Sequence, residues 1–258
     1  MHPRDIFERY STSRRAARYP GYRVDVLPDL TRHLPLGDSD EAVLSFARFD
    51  PAQAGRRILE ELNRLKANGI EAEWKVHDFD TPADLKSRLA ALGLTCHHVE
   101  ALMVLEVGGI QLAPDADDGV AIERASGAAL EEIVELQEAV WKCRLPWLLD
   151  VLRQMDDPIY CARAGGKVVG SAWIDFHGGS EFAQLSGGSI AEGYRRRGIY
   201  SRLFDRRLAD AKARGTRFLA VDAAPMSRPI LERKGFRFIC HTHPMRTRPH
   251  DTGAVTRT

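Results

Sequence analysis

The 258-residue sequence lacks any apolar run that approaches the roughly 20 residues needed to cross a bilayer. Its first five residues, MHPRD, contain no hydrophobic segment typical of an export signal. We therefore expect a cytoplasmic protein with no membrane partner. A formal net charge of +1 also argues against a protein that depends on bulk attraction to nucleic acid.

Cysteine is scarce: there are four, and none has the CxxC spacing of a zinc or redox motif. A disulfide framework is not expected in a cytoplasmic chain of this size. The stretch Cys240-His241-Thr242-His243 comes nearest to a metal site. On a strand His241 and His243 share one face, but a third ligand is missing. We predict no metal and interpret this stretch as an exposed strand end.

Positive charge is concentrated between residues 194 and 217, which contain nine lysines or arginines and only two acidic residues. Within it, "RRRGIYSRLF" (195–204) begins with three arginines and Gly198, and apolar residues at helical spacing follow. The free N–H groups and the dipole of a helix start attract anions, and Gly198 leaves room beside the backbone. This pattern favours a phosphate or pyrophosphate site. A merely exposed basic helix start is the alternative.

Residues 120–242 predict an ordered series of strands and helices. A Gly-Gly pair at 165–166 suits a hairpin turn, and a second pair, Gly187-Gly188, indicates a bulge in a strand. Helix-ending glycines follow at Gly215 and Gly235. The predicted elements are strand 120–125, helix 127–141, helix 146–155, hairpin 159–176, strand 182–192, helix 198–214, strand 217–223, helix 227–234 and strand 236–242.

The first half of the chain predicts a smaller β-α-β-α-β arrangement. Residues 1–40 are polar and contain several prolines, so we expect an irregular extension or edge element. Asp50 and Pro51 have helix-start chemistry. We also predict a polar linker at 108–119 and a loose tail over the last dozen residues. The predicted elements are strand 41–48, helix 51–68, strand 71–78, helix 81–92 and strand 100–107.

Arg195-x-x-Gly198-x-Tyr200 resembles the Arg/Gln-x-x-Gly-x-Gly/Ala motif of the GCN5-related N-acetyltransferase (GNAT) superfamily. The order of elements over 120–242 is similar to that fold, and "VDAAPMSRPILERKGF" (221–236) is similar to its closing strand and helix. The resemblance implies an α/β (α+β) fold with a mixed, mostly antiparallel sheet flanked by helices. It also implies a degenerate GNAT-like domain at 1–112, which lacks the motif, and an acetyltransferase domain at 113–258.

The resemblance implies acetyl-CoA as the acyl donor and a primary amine on a small molecule or peptide as the acceptor. The pantetheine arm would pair with backbone groups of residues 189–191, and the pyrophosphate would lie on N–H groups of residues 197–201. The preceding arginines would add charge. The implied cofactor-binding residues are Ser189, Ile190, Ala191, Arg195, Arg196, Arg197, Gly198, Ile199, Tyr200 and Ser201.

Several positions depart from the family pattern. Tyr200 stands where a second small residue is usual, Leu231 where the family often has a tyrosine acid, and Gln184 where some members have a glutamate base. The candidate catalytic residues are Ser227, which is also a natural helix N-cap, and Asp222, which also suits a plain turn. Further candidate bases are Asp175, His177 and Glu181.

These features predict direct attack of the amine on the thioester, with catalysis by positioning. The alternative is a non-catalytic acyl-CoA-binding or sensing module, because Leu231 and Gln184 replace titratable groups. A nucleic-acid binder is a weaker rival. The first half either shapes the acceptor site or forms a homodimer contact. Trp141, Trp147 and Trp173 either pack in the core or line an acceptor pocket.

Overall fold

The computed structural model describes residues 1–36, 41–112 and 119–247. In chain order the elements are α1 (Pro3–Arg14), β1 (Tyr22–Val26), β2 (Thr31–Pro35), β3 (Glu41–Ser45), α2 (Ala54–Ala67), β4 (Glu71–His77), α3 (Leu85–Ala91), β5 (Glu100–Glu106), β6 (Val120–Arg124), α4 (Ala128–Trp141), α5 (Leu148–Gln154), β7 (Ile159–Ala164), β8 (Lys167–Phe176), β9 (Phe182–Ile190), a 3₁₀ turn (Glu192–Tyr194), α6 (Ile199–Ala213), β10 (Phe218–Ala223), α7 (Arg228–Arg233) and β11 (Arg237–Arg246). This mixed, mostly antiparallel architecture confirms the predicted fold class.

The described chain forms two compact units. The first contains Met1–Val104 and the described residues from Asp222 onwards, and the second contains the described residues of Leu105–Val221. Compactness does not test whether a domain folds independently, so the predicted boundary between residues 112 and 113 stays a prediction. Half of the predicted linker, residues 113–118, and the tail after residue 247 lie outside the described residues.

In the first unit the strands are ordered β1-β2-β3-β4-β11-β5. The last strand of the chain, β11, is antiparallel to both of its neighbours, and it pairs Thr242 with His77 on β4 and with Glu100 on β5. β3 and β4 are parallel. The predicted series of strand, helix, strand, helix and strand is confirmed as β3-α2-β4-α3-β5, but β11 separates its last two strands.

The two faces of β4 differ in chemistry. Trp74 and Val76 lie in the apolar core with residues of α2 and α3 such as Ile58 and Leu89. Alternate residues point to opposite faces of a strand, so Glu73, Lys75 and His77 share the other face. That face is also buried or half-buried, which requires its charges to find partners within the protein.

Of the two expectations for the segment before residue 41, the edge element is confirmed, because β1 lies at the edge of the sheet, and the irregular extension is wrong. The segment contains α1, which buries Ile6, Phe7 and Tyr10, and the antiparallel strands β1 and β2. The inward face of α1 also carries Ser11 and Arg14, so its burial was hidden by polar residues. When the buried face of a helix is partly polar, its apolar residues do not recur clearly at helical spacing, so the sequence signal for the helix is weak.

The predicted start of α2 is also wrong. Gln53, not Asp50, occupies the N-cap position, and its side chain makes no capping bond. Asp50 instead accepts a hydrogen bond from the amide of Ala52 at 2.8 Å, which stabilises a turn before the helix. The N-cap was therefore predicted three residues too early.

In the second unit the strands are ordered β10-β9-β8-β7-β6, and only the β9–β10 pair is parallel. The predicted elements are confirmed within a few residues at each end. Gly165 and Gly166 have φ angles of 55° and 80° in the predicted hairpin turn. One core cluster joins Ile133 of α4 and Leu152 of α5 to β7 and β8, and a second joins α6 to β7 and β8.

A search of the helices over residues 1–36, 41–112 and 119–247 finds none that combines the length and apolarity of a membrane span. All four cysteines lie in these ranges, and no disulfide joins them. Cys161 and Cys240 are buried. The interpretation of residues 240–243 as an exposed strand end is therefore wrong, because these residues lie within β11, which is paired on both sides. Burial raises the pKa of the Cys161 thiol to about 11, with a further contribution from Glu123.

Candidate functional site

The strands β9 and β10 pair over only part of their length. Their parallel register runs from Phe182 opposite Phe218 to Gln184 opposite Ala220. On its other side β9 stays paired with β8 as far as Ile190. The remaining part of β9 therefore has one backbone edge that β10 does not use, at the position where an extended ligand can add to a sheet.

A bulge interrupts β9 at the predicted Gly-Gly pair. Ser171 of β8 faces Ser189, whereas Trp173 faces Ser186, so β9 holds one extra residue in this interval. Gly187 has a φ of +64°, and a Cβ there would lie 1.8 Å from the Trp173 ring. Only glycine fits this position, and the predicted bulge is confirmed.

The bulge is held by a buried polar network centred on Gln137 of α4. Its Nε2 donates to the Ser171 hydroxyl and to the Gly187 carbonyl, each at 2.8 Å. Its Oε1 accepts from Trp141 Nε1 and from the Ser189 hydroxyl, each at 2.9 Å. Such a satisfied network fixes one backbone arrangement. Trp141 thus acts in the support of β9, and Trp173 packs in the core.

The start of α6 presents unused backbone donors. Gly198 is the N-cap residue with φ +75° and ψ −3°, and it has no side chain to cap the helix. The first helical bond runs from the Arg202 amide to the Gly198 carbonyl, so the amides of Ile199, Tyr200 and Ser201 have no acceptor within the helix. A Cβ on Gly198 would have no heavy atom within 4 Å, so the space beside this turn is open.

The three arginines before Gly198 are exposed beside these donors. Arg195 Nε donates to the Ile190 carbonyl at 3.2 Å, which attaches the turn to the end of β9. Arg196 has a φ of +63°, an uncommon left-handed conformation for a side chain of this size. The Arg197 guanidinium lies 5.0 Å from the centre of the Tyr194 ring. Exposed amides and guanidinium groups together suit an anion.

The ten predicted cofactor-binding residues therefore lie on one stretch of the second unit, at the end of β9 and, after the 3₁₀ turn, up to the first turn of α6. Ser189 is buried, and its side chain is occupied by Gln137 and Trp141. The Ser189 hydroxyl is therefore engaged within the protein, and only its backbone groups are left for a ligand. Its cofactor-binding role stays a prediction.

Tyr200 packs against the bulge. A Cβ placed on Gly188 would lie 3.0 Å from the Tyr200 ring. Arg207 of the same helix is buried, with only 1% of its surface exposed. Arg207 donates to the carbonyls of Leu203 at 3.2 Å and Trp173 at 3.4 Å, and its Nη2 has no hydrogen-bond partner. The burial of Arg207 was not predicted from the sequence.

Both predicted catalytic residues belong to the first unit. Asp222 is buried, its Oδ1 accepts from the Thr242 hydroxyl at 3.2 Å, and its Oδ2 lies 3.4 Å from Lys75 Nζ. Burial alone would raise the pKa of Asp222, but the charges of Lys75, His77 and Arg14 outweigh it and lower that pKa. The carboxylate is therefore a weak base, and electrostatic roles suit it better.

Ser227 stands at the N-cap position of α7, but its side chain makes no capping bond. The backbone carbonyl of Ser227 accepts from the Leu231 amide at 3.1 Å instead. The expected side-chain cap is therefore wrong. Leu231 is fully buried, and Gln184 is 3% exposed.

The other candidate bases have structural contacts of their own. Asp175 Oδ2 accepts from the Ser186 hydroxyl at 3.1 Å. Glu181 lies 3.9 Å from Arg217. The His177 carbonyl accepts from the Ser180 amide at 2.9 Å, which closes the turn between β8 and β9.

The two histidines of β11 are engaged by a carboxylate. Asp78 Oδ2 lies 3.1 Å from His241 Nδ1, and Asp78 Oδ1 lies 3.3 Å from His243 Nε2. Over the described ranges, no group of three or more His, Cys, Asp or Glu residues is arranged to hold a metal ion.

Comparison with known proteins identifies one family and one fold. The model of the acetyltransferase (GNAT) family matches residues 128–236. No curated protein matches the sequence. Three similar solved structures are a GCN5-related N-acetyltransferase from Kribbella flavida, a GCN5-related N-acetyltransferase from Sphaerobacter thermophilus and a tandem GNAT protein from the clavulanic acid biosynthesis pathway.

The Kribbella protein is 17% identical with a TM-score of 0.69, and the alignment covers 95% of each chain. The Sphaerobacter protein is 14% identical with a TM-score of 0.66, over 85% of this chain and 77% of its own. The tandem protein is 12% identical with a TM-score of 0.64, over 91% of this chain and 86% of its own. These likenesses show the fold, and the model of the GNAT acetyltransferase family matches residues 128–236 of the chain.

Proposed function

We propose that this protein is an acetyl-CoA-dependent N-acetyltransferase whose acceptor is a primary amine on a small molecule or peptide. The observation that carries the proposal is the continuous segment from β9 to α6, where an unused strand edge leads into unused amide donors. The GNAT family match over residues 128–236 supports acyl transfer in general.

The segment fits both ends of the donor. Backbone groups of Ser189, Ile190 and Ala191 would extend the sheet with the pantetheine arm, which carries amides of its own. The amides of Ile199 to Ser201 would hold the pyrophosphate, with Arg195 and Arg196 adding positive charge. The open space beside Gly198 allows close approach of a bulky anion to the backbone.

The proposed reaction is direct attack of the amine nitrogen on the thioester carbonyl. A C–N bond forms, the C–S bond breaks, and its electron pair goes to sulfur. An amine has a pKa near 10, so it must lose a proton before it attacks. Asp222 is a weak base for this task because its pKa is lowered. Positioning and backbone hydrogen bonds would therefore supply much of the catalysis.

The first half is proposed to be a degenerate GNAT-like partner. The sequence that leads into α2, "ARFDPAQAG" (47–55), has no Arg-x-x-Gly-x-Gly equivalent, so it offers no comparable pyrophosphate site. One structurally similar protein is described as a tandem GNAT protein, which is consistent with this proposal. A cytoplasmic location is part of the proposal, and cell fractionation tests it.

Thermal unfolding with and without acetyl-CoA tests the binding step. Saturating acetyl-CoA should raise the melting temperature by about 5 °C or more. Gly198→Val should abolish this rise because valine strongly disfavours a φ of +75°. Gly193→Ala is the matched control, since a Cβ at Gly193 meets no heavy atom within 4 Å and its φ is not positive. Absence of stabilisation in the unmodified protein would contradict the proposal.

Thiol release from acetyl-CoA over a panel of amines, polyamines, amino acids and peptides tests the chemical step. Release that depends on one amine class identifies the acceptor class. Binding without release over the whole panel would favour the alternative, a non-catalytic acyl-CoA-binding module.

A further inference from the structure

Strand β1 lies at an edge of the sheet of the first unit. Over residues 1–36, 41–112 and 119–247 it pairs only with β2, so the side of β1 away from β2 carries backbone groups that no strand uses. The strand is short, and its last residue, Val26, is 53% exposed. An unpaired edge of this kind can add a further strand. The side chains of β1 indicate which strand it accepts.

The unused backbone groups of β1 belong to Val24 and Val26. Where β1 turns into β2, the Leu27 amide donates to the Leu30 carbonyl at 2.9 Å. Bonded pairs alternate along an antiparallel ladder, so the odd-numbered residues of β1 bond to β2 and the even-numbered residues point their amides and carbonyls outward. No described residue bonds to Val24 or Val26 on that outer side.

The charges of β1 make this edge complementary to itself. If two copies of β1 pair antiparallel around Val24, position 23 of each copy lies opposite position 25 of the other. Arg23 of one copy then faces Asp25 of the second copy, and two-fold symmetry repeats the contact. Both contacts fall on non-hydrogen-bonded pairs, in which the two strands approach most closely. Opposite charges directly across a strand pair stabilise it.

Arg23 and Asp25 can make this exchange at low cost. Within the described part of one chain they form an ion pair only with each other, with Arg23 Nε 3.2 Å from Asp25 Oδ1. The side chains are 60% and 28% exposed, and such a surface pair contributes little to stability. Across the axis the Val24 amide of each copy would donate to the Val24 carbonyl of the other, which adds two backbone hydrogen bonds.

The edge strand of the second unit, β6, lacks this property. In the described ranges β6 pairs only with β7, and the Ala125 amide donates to the Ile159 carbonyl at 2.9 Å just beyond it. The same alternation leaves the backbone groups of Ile122 facing outward. Two copies of β6 paired around Ile122 would set Ala121 opposite Glu123, which forms no ion pair. Of these two edges, only β1 has charges that suit pairing with itself.

We propose that β1 is a homodimer contact, in which the β1 strands of two copies of this chain pair antiparallel about a two-fold axis at Val24. The sheet of the first unit then continues into the same sheet of the second copy. A five-residue strand provides a small interface, so the dimer is weak, with a Kd on the order of 10 to 100 μM. The contact does not depend on the proposed acetyltransferase activity.

Sedimentation equilibrium of the full chain, at concentrations from about 1 to 500 μM, measures the association. The unmodified protein should change from monomer to dimer over this range, and a protein that stays monomeric would overturn the proposal. Arg56→Asp is the matched control for charge, because Arg56 of α2 is 62% exposed and the substitution changes the charge as Arg23→Asp does. This control should dimerise like the unmodified protein.

Arg23→Asp and Asp25→Arg test the register of the pairing. Each variant alone sets like charges opposite each other at both contacts, so the Kd of its dimer should rise about 30-fold. An equimolar mixture of the two variants should restore dimerisation, because an acidic edge then faces a basic edge. Restoration requires that both variants fold. Single variants that dimerise normally, or a mixture that stays monomeric, would overturn the pairing of β1.

A chain shortened to end at Thr247 tests the other occupant of this edge, the C-terminal tail of the same chain. The shortened chain retains every described residue and should dimerise with an unchanged Kd. Tighter dimerisation of the shortened chain would show that the tail competes for β1 in the full chain, and would overturn the proposal.

Discussion

The Nζ of Lys75 lies 3.4 Å from the Oδ2 of Asp222, a residue 147 positions later in the chain. The two side chains are 14% and 7% exposed, so the pair is largely dehydrated. Burial alone would lower the pKa of Lys75, but Asp222, Glu100 and Glu73 outweigh it and raise that pKa. Each charge therefore depends on the other within the first unit.

Lys75→Met should lower the free energy of unfolding by about 3 to 5 kcal/mol, because it leaves a buried carboxylate without its cation. Urea unfolding measures this cost. The double variant Lys75→Met with Asp222→Asn should lose less than the sum of the two single variants, since it removes both charges. A cost below about 1 kcal/mol in Lys75→Met would contradict this account, because surface pairs contribute that little.

His33 should make stability depend on mildly acidic pH. Its Nε2 lies 3.1 Å from the Ala17 carbonyl, and burial lowers its pKa to about 4. The unfolded chain takes up this proton near pH 6.5 and the folded protein only near pH 4, so stability falls as pH decreases between these values. His33→Gln should therefore lose about 2 kcal/mol less than the unmodified protein between pH 7 and pH 5 in urea unfolding. His97→Gln, at an exposed histidine, is the control and should keep the original pH dependence.

Gly187 should tolerate no side chain. Gly187→Ala places a Cβ 1.8 Å from the Trp173 ring at a φ of +64°, so the expected loss is about 3 kcal/mol or more. The acetyl-CoA-dependent rise in melting temperature should disappear with the bulge. Adding Trp173→Leu should relieve the clash, so the double variant should cost less than the sum of the single variants. If Gly187→Ala unfolds at the same temperature as the unmodified protein, the bulge is not rigid and this prediction is wrong.

Gln137 should couple stability to donor binding. Gln137→Leu leaves the Gly187 carbonyl and the Trp141 and Ser189 side chains without their shared partner, at an expected cost of about 2 kcal/mol. Because this network fixes the strand edge of β9, acetyl-CoA affinity should fall about tenfold in calorimetric titration. Gln154→Leu, at an exposed glutamine of α5, is the matched control. If Gln137→Leu lowers the free energy of unfolding but leaves acetyl-CoA affinity unchanged, the network does not support donor binding.

The sequence allowed good prediction of elements whose signals are local. The hairpin turn at Gly165, the bulge at Gly187 and the helix after Gly198 each depend on a few adjacent residues, and all three are confirmed. The fold class followed from their order. The start of α1 was missed because its buried face includes Ser11 and Arg14.

Features that arise from distant pairing could not be predicted. The position of β11 between β4 and β5 depends on registers between residues more than 130 positions apart, which no local pattern encodes. The burial of Lys75 and Arg207 was missed for a related reason. Charged residues are rarely fully buried, so sequence reasoning assigns them to solvent unless a partner is visible nearby.

The strand order of the first unit has a consequence for synthesis. When β4 and β5 have left the ribosome, the strand that belongs between them is still more than a hundred residues from being made. At typical translation rates this interval is on the order of ten seconds, during which two strand edges of the nascent chain stay unsatisfied. Premature termination before Arg237 should therefore yield an aggregation-prone fragment rather than a smaller working protein.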